Sequence, residues 1–363
     1  MFRIKYIIPA VLIIIAAVLI FATAQIRNRD FINNSLTEPL PPEPIIVVWE
    51  YSGIETDHSK IGPMRPVHVV SPTWFKITDN QGTVSSTLDL EYLQWAKSRE
   101  YQVWGLVTNS FDPDITSAIL TDEKVMIEVV ESLISLATEY NLDGINVDFE
   151  NFHSDYKTHF TKFVAELASR CREEGLVLSV DVSMYSSSEF WSMCYDRAGL
   201  AAEADYVMLM AYDEHWQSSP VAGSVASLPW VEAGLQRVLT EVPAEKLMLG
   251  VPFYTRLWEI DDSSGEEVVL NSWSYSMHRA EEIIAEYSAE IYFDDNARQR
   301  VAEYRRDGLL YKMWLEDADS MRERLILMEK YNLAGLAAWR RGLETPDIWD
   351  LIDEFTSQPG GIN

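Results

Sequence analysis

The sequence predicts a (β/α)8 barrel, the TIM-barrel architecture, with a small α+β insertion between its seventh and eighth strands. Three observations predict it. Eight strand-like segments alternate with helix-like ones over about 310 residues. The last strand is followed by a closing helix, which suits a closed ring better than a doubly wound sheet. No GxGxxG or Walker-type phosphate loop follows any strand, which lowers the nucleotide-binding alternative.

The elements follow in order. Residues 45–49 are a short β-branched run, and 67–75 form a second, broken by Pro72. Residues 88–101 space their apolar positions as a helix does, and 103–108 read as a third strand. Residues 121–140 open with Thr121-Asp122-Glu123-Lys124, an N-cap followed by early acid, and carry an apolar stripe. The fourth strand is 144–150. A helix over 154–174 stops at Gly175, a residue suited to a left-handed cap. Strands follow at 176–184, 206–212 and 246–254, the last two separated by a helix over 229–239 with Pro229 in its first turn. A helix at 319–331, an eighth strand at 334–340 and a helix at 346–355 complete the ring. The link from strand seven to strand eight spans about 80 residues, far more than one helix needs. It contains strand-like pieces at 267–270 and 309–315, so the insertion is placed at about 257–316.

Ahead of the barrel, residues 7–24 form an apolar run of about 18 residues, preceded by Arg3 and Lys5. This run is near spanning length, so residues 1–24 are read as a membrane anchor that leaves the rest of the chain extracytoplasmic. Ala22-Thr23-Ala24 supplies the alternative, a signal cleaved near Ala24 and a secreted product. Residues 25–44 include NNSLTEPLPPEP, with four prolines, and predict a semi-rigid Pro-rich linker. The folded part is expected over 45–357.

Composition narrows the function. Acidic residues number 57 against 29 basic ones, a formal net charge of −28, which makes nucleic acid a poor partner. Only Cys171 and Cys194 are present, and two free thiols are the simpler reading, with one bridge as the alternative. His153, His159 and His215 form no metal constellation.

The fourth strand carries the chemistry. In Leu142-Asp143-Gly144-Ile145-Asn146-Val147-Asp148-Phe149-Glu150, strand alternation sends Ile145, Val147 and Phe149 toward the helices and Asn146, Asp148 and Glu150 into the ring. A barrel interior usually holds branched apolar residues, and three polar ones there lose solvation unless they are partnered or used. Asp148 and Glu150 lie at the carboxyl end, where barrel enzymes place their sites, with Cα atoms about 6.6 Å apart. Two carboxyls so close do not both ionise cheaply, so one holds a proton near neutral pH and can serve as a general acid.

This octapeptide resembles the DxxDxDxE signature of glycoside hydrolase family 18, matching at Asp143, Asp148 and Glu150, with Asn146 in place of the usual Asp. Met210-Ala-Tyr212-Asp213 is similar to the family's MxYD element, and Pro252-Phe-Tyr254-Thr-Arg256 to its PFYxR element. Trp339 matches the Trp that floors the reacting subsite. The resemblance covers about residues 45–355, and LDGINVDFEN, MAYDEHW, GSVASLPWVE and LAAWRRGLE look most like the spore-germination and cell-wall branch.

The resemblance implies a retaining hydrolase acting on β-1,4-linked N-acetylglucosamine-containing glycan, in which the substrate's own N-acetyl group is the nucleophile. It implies Glu150 as acid and then base, Asp148 as the group orienting the acetamido N–H, and Tyr212 as the donor to the acetamido carbonyl. Asn146, Met210, Asp213, Trp339, Tyr254, Arg256, Trp74 and Asn109 are expected to contact substrate or line the pocket. Arg256 has the alternative of pairing with an acid, and Asp181 of supporting the acidic cluster. Trp216 and Trp314 are candidates for outer sugar subsites. Peptidoglycan, including spore cortex, is the preferred substrate, because a tethered enzyme suits an immobile wall polymer, and chitin oligomers come second. The chemistry needs no metal or cofactor. The competing reading is a carbohydrate-binding protein on the same barrel without catalysis, for which Asn146 counts and against which Glu150 counts.

Overall fold

A computed structural model describes residues 43–53, 61–62 and 64–357. The anchor read over 1–24 and the linker up to residue 42 lie outside the described residues. Among the described residues no helix is long and apolar enough to cross a membrane.

The chain runs β1 (Ile45–Glu50), β2 (Val69–Pro72), then a hairpin of β3 (Phe75–Ile77) and β4 (Val84–Ser86). It continues with α1 (Leu90–Ser98), β5 (Gln102–Thr108), α2 (Pro113–Thr121), α3 (Glu123–Glu139), β6 (Gly144–Asp148) and α4 (Lys157–Glu174). Next come β7 (Val177–Ser183), α5 (Arg197–Glu203), β8 (Tyr206–Met210), α6 (Leu228–Val238) and β9 (Leu247–Pro252). The insertion comprises β10 (Tyr254–Asp261), β11 (Val268–Ser276), α7 (Met277–Tyr287), β12 (Glu290–Asp294), β13 (Gln299–Arg306) and β14 (Leu309–Trp314). Helix α8 (Ala318–Lys330), β15 (Gly335–Trp339) and α9 (Pro346–Ser357) close the chain.

Strands β1, β2, β5, β6, β7, β8, β9 and β15 form a closed ring of parallel pairs, with β15 beside β1 and β2 beside β5. The seam between β15 and β1 is tight. A Cβ on Gly335 would lie 1.9 Å from the Ile45 carbonyl oxygen, so only glycine allows the approach. The ring encloses Val47, Trp49, Val69, Trp104, Leu106, Met208, Met248 and Ala337. The outer strand faces pack on the helices. Phe149, for example, stacks on Phe160 and Phe163 of α4 at 5.5 and 5.2 Å, and burying one such ring contributes roughly 1.5–3 kcal/mol.

The alternation read for the fourth strand holds, but the strand ends at Asp148, leaving Glu150 just beyond it. The expected helix over 121–140 is α3 alone, capped by Asp122, whose carboxylate accepts from the amides of Lys124 and Val125. Ahead of it lies α2, which the apolar spacing did not show. Its signal was local: Asp112 caps the helix and Pro113 occupies the first turn. Gly175 ends α4 at φ 71°, as expected. The insertion starts at Tyr254 rather than 257, because β9 runs almost directly into β10. Its five strands form an antiparallel sheet in the order β11-β10-β14-β13-β12, covered on one face by α7. Buried Glu316, just after β14, accepts from Arg324 of α8 (2.9 Å) and Gln299 of β13 (3.0 Å), locking insertion to barrel. Cys171 and Cys194 are free and buried.

Candidate active site

The carboxyl end of β6 is built from an alternating polar file. Asn146 is fully buried inside the ring, and its three hydrogen bonds fix its orientation. Its Oδ1 accepts from Trp49 Nε1 (2.8 Å) and Ser71 Oγ (3.1 Å), so its amide points at β7, where it donates to Asp181 Oδ1 (2.8 Å). Two residues on, Asp148 is buried, and its Oδ1 has no hydrogen-bond partner among the described residues. Burial first, and Asp181 second, push the Asp148 carboxyl well above the ordinary carboxylate range.

Glu150 stands at the mouth. Its carboxyl is also pushed well above the ordinary range, by burial, then by Asp148 and Asp213, which favours its protonated form. Its backbone is held at two points by Asn109 from the end of β5. The Glu150 amide donates to Asn109 Oδ1 (3.1 Å), and Asn109 Nδ2 donates to the Glu150 carbonyl (2.6 Å). Asn109 is fixed in turn by Thr116 Oγ1 of α2 at 2.7 Å. On the preceding residue, the Tyr195 hydroxyl donates to the Phe149 carbonyl (2.8 Å). Glu150, set on a short coil, is thus braced from both sides.

After β8, Tyr212 turns into the same region. Burial, Asp181 and Tyr254 raise its hydroxyl well above the ordinary tyrosine range, so it stays a proton donor in hydrogen bonds. Asp213 adopts a left-handed backbone (φ 60°) and accepts from Tyr254 Oη (2.6 Å) and Arg256 Nη2 (2.9 Å). Beside this set lies a cavity of about 520 Å³, lined by Asp213, Trp216, Tyr254, Arg256, Trp339 and the β11 backbone around Tyr275. Glu150, Asp148 and Tyr212 are not among the residues lining this cavity, whose walls run from Trp339 to β10 and β11 of the insertion.

The structure therefore brings together Asn146, Asp148, Glu150, Tyr212, Met210, Asp213, Tyr254, Arg256, Asn109 and Trp339 at one end of the barrel, though not all in one role. Trp74 is 2% exposed and packs edge-on against Tyr92 of α1, so it belongs to the strand–helix layer and not to the pocket. Asn146 and Asn109 are both fully buried, the first bonded to Trp49, Ser71 and Asp181 and the second bracing Glu150, and neither lines the cavity. Arg256 pairs with Asp213, the alternative read from the sequence. Trp216 lines the cavity, whereas Trp314 is turned to Asp294, to which its Nε1 donates (2.9 Å). Asp143 sits at the opposite end of β6, where it accepts from Lys97 and from the Val103 amide (2.7 Å) and ties α1, β5 and β6 together. Trp49, Ser71, Thr116 and Tyr195 were missed. Trp49 could have been found as an inward position at a strand end, whereas the others depend on which strands become neighbours.

Comparisons with known proteins agree with this geometry. The chain is 25% identical over 291 residues to the uncharacterized glycosylase YvbX of Bacillus subtilis, covering 77% of this chain and 82% of that one. It is 25% identical over 258 residues to the cortical fragment-lytic enzyme of Bacillus subtilis, covering 70% of this chain and 59% of that one. The barrel and its insertion superpose on the chitinase of Chromobacterium violaceum with a TM-score of 0.76 and 24% identity, over 87% of this chain and 99% of that one. The sequence pattern of glycosyl hydrolases family 18 matches residues 77–344, from β3 to the turn beyond Trp339, and the chain belongs to that family of glycosidases.

Proposed function

We propose that this chain hydrolyses β-1,4-linked N-acetylglucosamine-containing glycan with retention of configuration, using Glu150 as general acid and then general base. The observation that carries the reading is the braced Glu150 carboxyl at the barrel mouth, raised well above the ordinary carboxylate range, beside buried Asp148 and the cavity lined by Trp339. A carboxyl kept neutral at pH 7 can protonate the departing glycosidic oxygen. Asp148 faces the acetamido N–H, Tyr212 donates to the acetamido carbonyl, and the carbonyl oxygen attacks the anomeric carbon from within the same sugar. Holding that nucleophile in reach turns a bimolecular penalty into an intramolecular advantage. Glu150, now ionised, then accepts a proton from the water that opens the cyclic intermediate.

Peptidoglycan, including spore cortex, is the substrate we favour, supported by the likeness to a cortical fragment-lytic enzyme and by the apolar run at 7–24 followed by a Pro-rich stretch. In this reading the barrel works outside the cytoplasm, tethered to the membrane next to an immobile polymer. The test is incubation of the purified protein with defined chitin oligomers and with intact glycan strands, products being read by mass. Turnover of the strands, abolished in Glu150→Gln with glycan binding retained, is expected. Turnover of chitin oligomers alone would refute the substrate, and binding without turnover by the wild type would refute the hydrolase.

A further inference from the structure

The amide at position 146 removes a carboxyl from the strand on which the resemblance would place one, and the structure returns a carboxyl from the neighbouring strand. In the β6–β7 register, Asn146 lies beside Ser179 and Val147 beside Val180. One step further along the same parallel ladder sets Asp148 level with Asp181, both inside the ring, on strands roughly 4.8 Å apart. Asp181 is 1% exposed and receives the Asn146 amide on Oδ1. Its other oxygen is left for Asp148, whose Oδ1 is itself buried and unpartnered among the described residues. Among the described residues, none of the groups that act on these two carboxyls is a cation. The groups facing the two acids are Glu150 from β6, Tyr212 beyond β8, Tyr195 ahead of α5, and Asn146 with its donors Trp49 and Ser71.

We infer that Asp181 is the second half of a proton-sharing carboxyl pair with Asp148, and that it sets the protonation state in which Asp148 meets the substrate's acetamido group. This rests on the glycosidase reading above. With the site free, one proton lies between the two carboxyls and the pair carries a single negative charge. As the acetamido N–H arrives, that proton passes from Asp148 to the free oxygen of Asp181, and Asp148 becomes the anion that accepts the N–H. One proton and one charge are present before and after. Both acids are lifted well above the ordinary range, burial leading in each, as such a pair requires. Asp181 is a positioning residue, acting through Asp148.

Asn146 and Asp181 are complementary. Trp49 and Ser71 demand an acceptor at 146, and Asp181 demands a donor there, so an amide fits both. The exchange Asn146→Asp with Asp181→Asn keeps every one of these hydrogen bonds, with the 146–181 bond reversed, and restores a carboxyl pair. The experiment compares wild type, Asp181→Asn and this double exchange on glycan strands and chitin oligomers across pH, with thermal melts for folding. Asp181→Asn is expected to fold, to lose about 10²-fold in kcat with KM within a factor of a few, and to shift the acid limb of its pH profile, which reports ionisation of Asp148, while the alkaline limb set by Glu150 stays. The double exchange is expected to recover kcat to within about tenfold. An unchanged kcat and pH profile in Asp181→Asn, or a folded double exchange no better than the single variant, would overturn the inference. The same proteins labelled with ¹³C at aspartate carboxyls give a readout that does not depend on turnover. Two signals should titrate together in the wild type and the double exchange, and one alone in Asp181→Asn. Independent titration in the wild type also overturns the pair, even if no glycan is cleaved.

Discussion

Replacing Asn109 by alanine tests whether the acid is held by a specific clamp or only by the strand it follows. Asn109 is fully buried, and its side chain makes four hydrogen bonds, two to the Glu150 backbone, one to Thr116 and one to the Phe111 amide. Truncation leaves the amide and carbonyl of Glu150 without these partners in a region closed to bulk water. A buried backbone group left unpaired costs about 1–3 kcal/mol, so the variant should lose roughly 2–5 kcal/mol of stability. The effect on rate should be larger than the effect on binding. With the clamp gone, Glu150 shifts at the mouth, and a displacement near 1 Å costs about 10²-fold in rate. Initial rates on glycan strands together with a thermal melt read both quantities. The expected outcome is a lower Tm, kcat down by about two orders of magnitude and KM nearly constant. An alanine variant that melts with the wild type and keeps its kcat would show that the brace does nothing for the acid.

Other consequences follow from the same geometry. Glu150→Gln should lower kcat by roughly 10²–10⁴-fold, about 3–5 kcal/mol of barrier, while glycan binding measured by calorimetry persists. Because the folded carboxyl of Glu150 titrates above its unfolded value, its contribution to stability is fully present in acid and is lost as pH rises from the ordinary carboxylate range through the raised value. The Tm of Glu150→Gln should therefore match the wild type near pH 4 and exceed it increasingly toward pH 8, and a constant difference would contradict the raised titration. Trp339→Ala removes the cavity floor and should raise KM by tenfold or more, about 1.5–3 kcal/mol, with a smaller change in kcat. Arg324→Met strips the buried Glu316 of its cation and should cost about 3–5 kcal/mol by denaturant unfolding, with Glu316→Gln in the same background recovering part of it.

Much of the fold could be read from the chain because strand alternation and helical spacing are local. The inward file Asn146-Asp148-Glu150 followed from parity alone, and the structure keeps it. Helix α2 escaped because nine residues with a broad apolar content show little periodicity, although Asp112-Pro113 announced its start. What parity does not give is the neighbour. Asn109 and Trp74 both sit near strand ends in the sequence, yet one braces Glu150 and the other packs under α1, a difference set by tertiary contacts. Asp181 belongs to the same class. Its inward parity was legible, but its place opposite Asp148 depends on the β6–β7 register, which no single strand encodes.

The distribution of charge around the site also follows from the reaction it is proposed to carry. As the glycosidic bond breaks, positive charge develops on the sugar ring. A site that lowers that barrier by electrostatics needs fixed negative charge near the ring and no free cation there. The Asp148–Asp181 pair supplies the first, with Glu150 adding to it as it gives up its proton. Two arginines, Arg256 and Arg340, lie on the cavity wall, and Arg256, only 4% exposed, would weaken that field if left unpaired. Asp213 neutralises it through Nη2, and the Tyr254 hydroxyl donates to the same carboxylate oxygen. Asp213, with its left-handed backbone, still lies close enough to the acid cluster to raise Glu150. The strand-six and strand-seven motifs therefore share one ion pair: the first supplies Asp213, and the second the buried arginine whose charge it offsets.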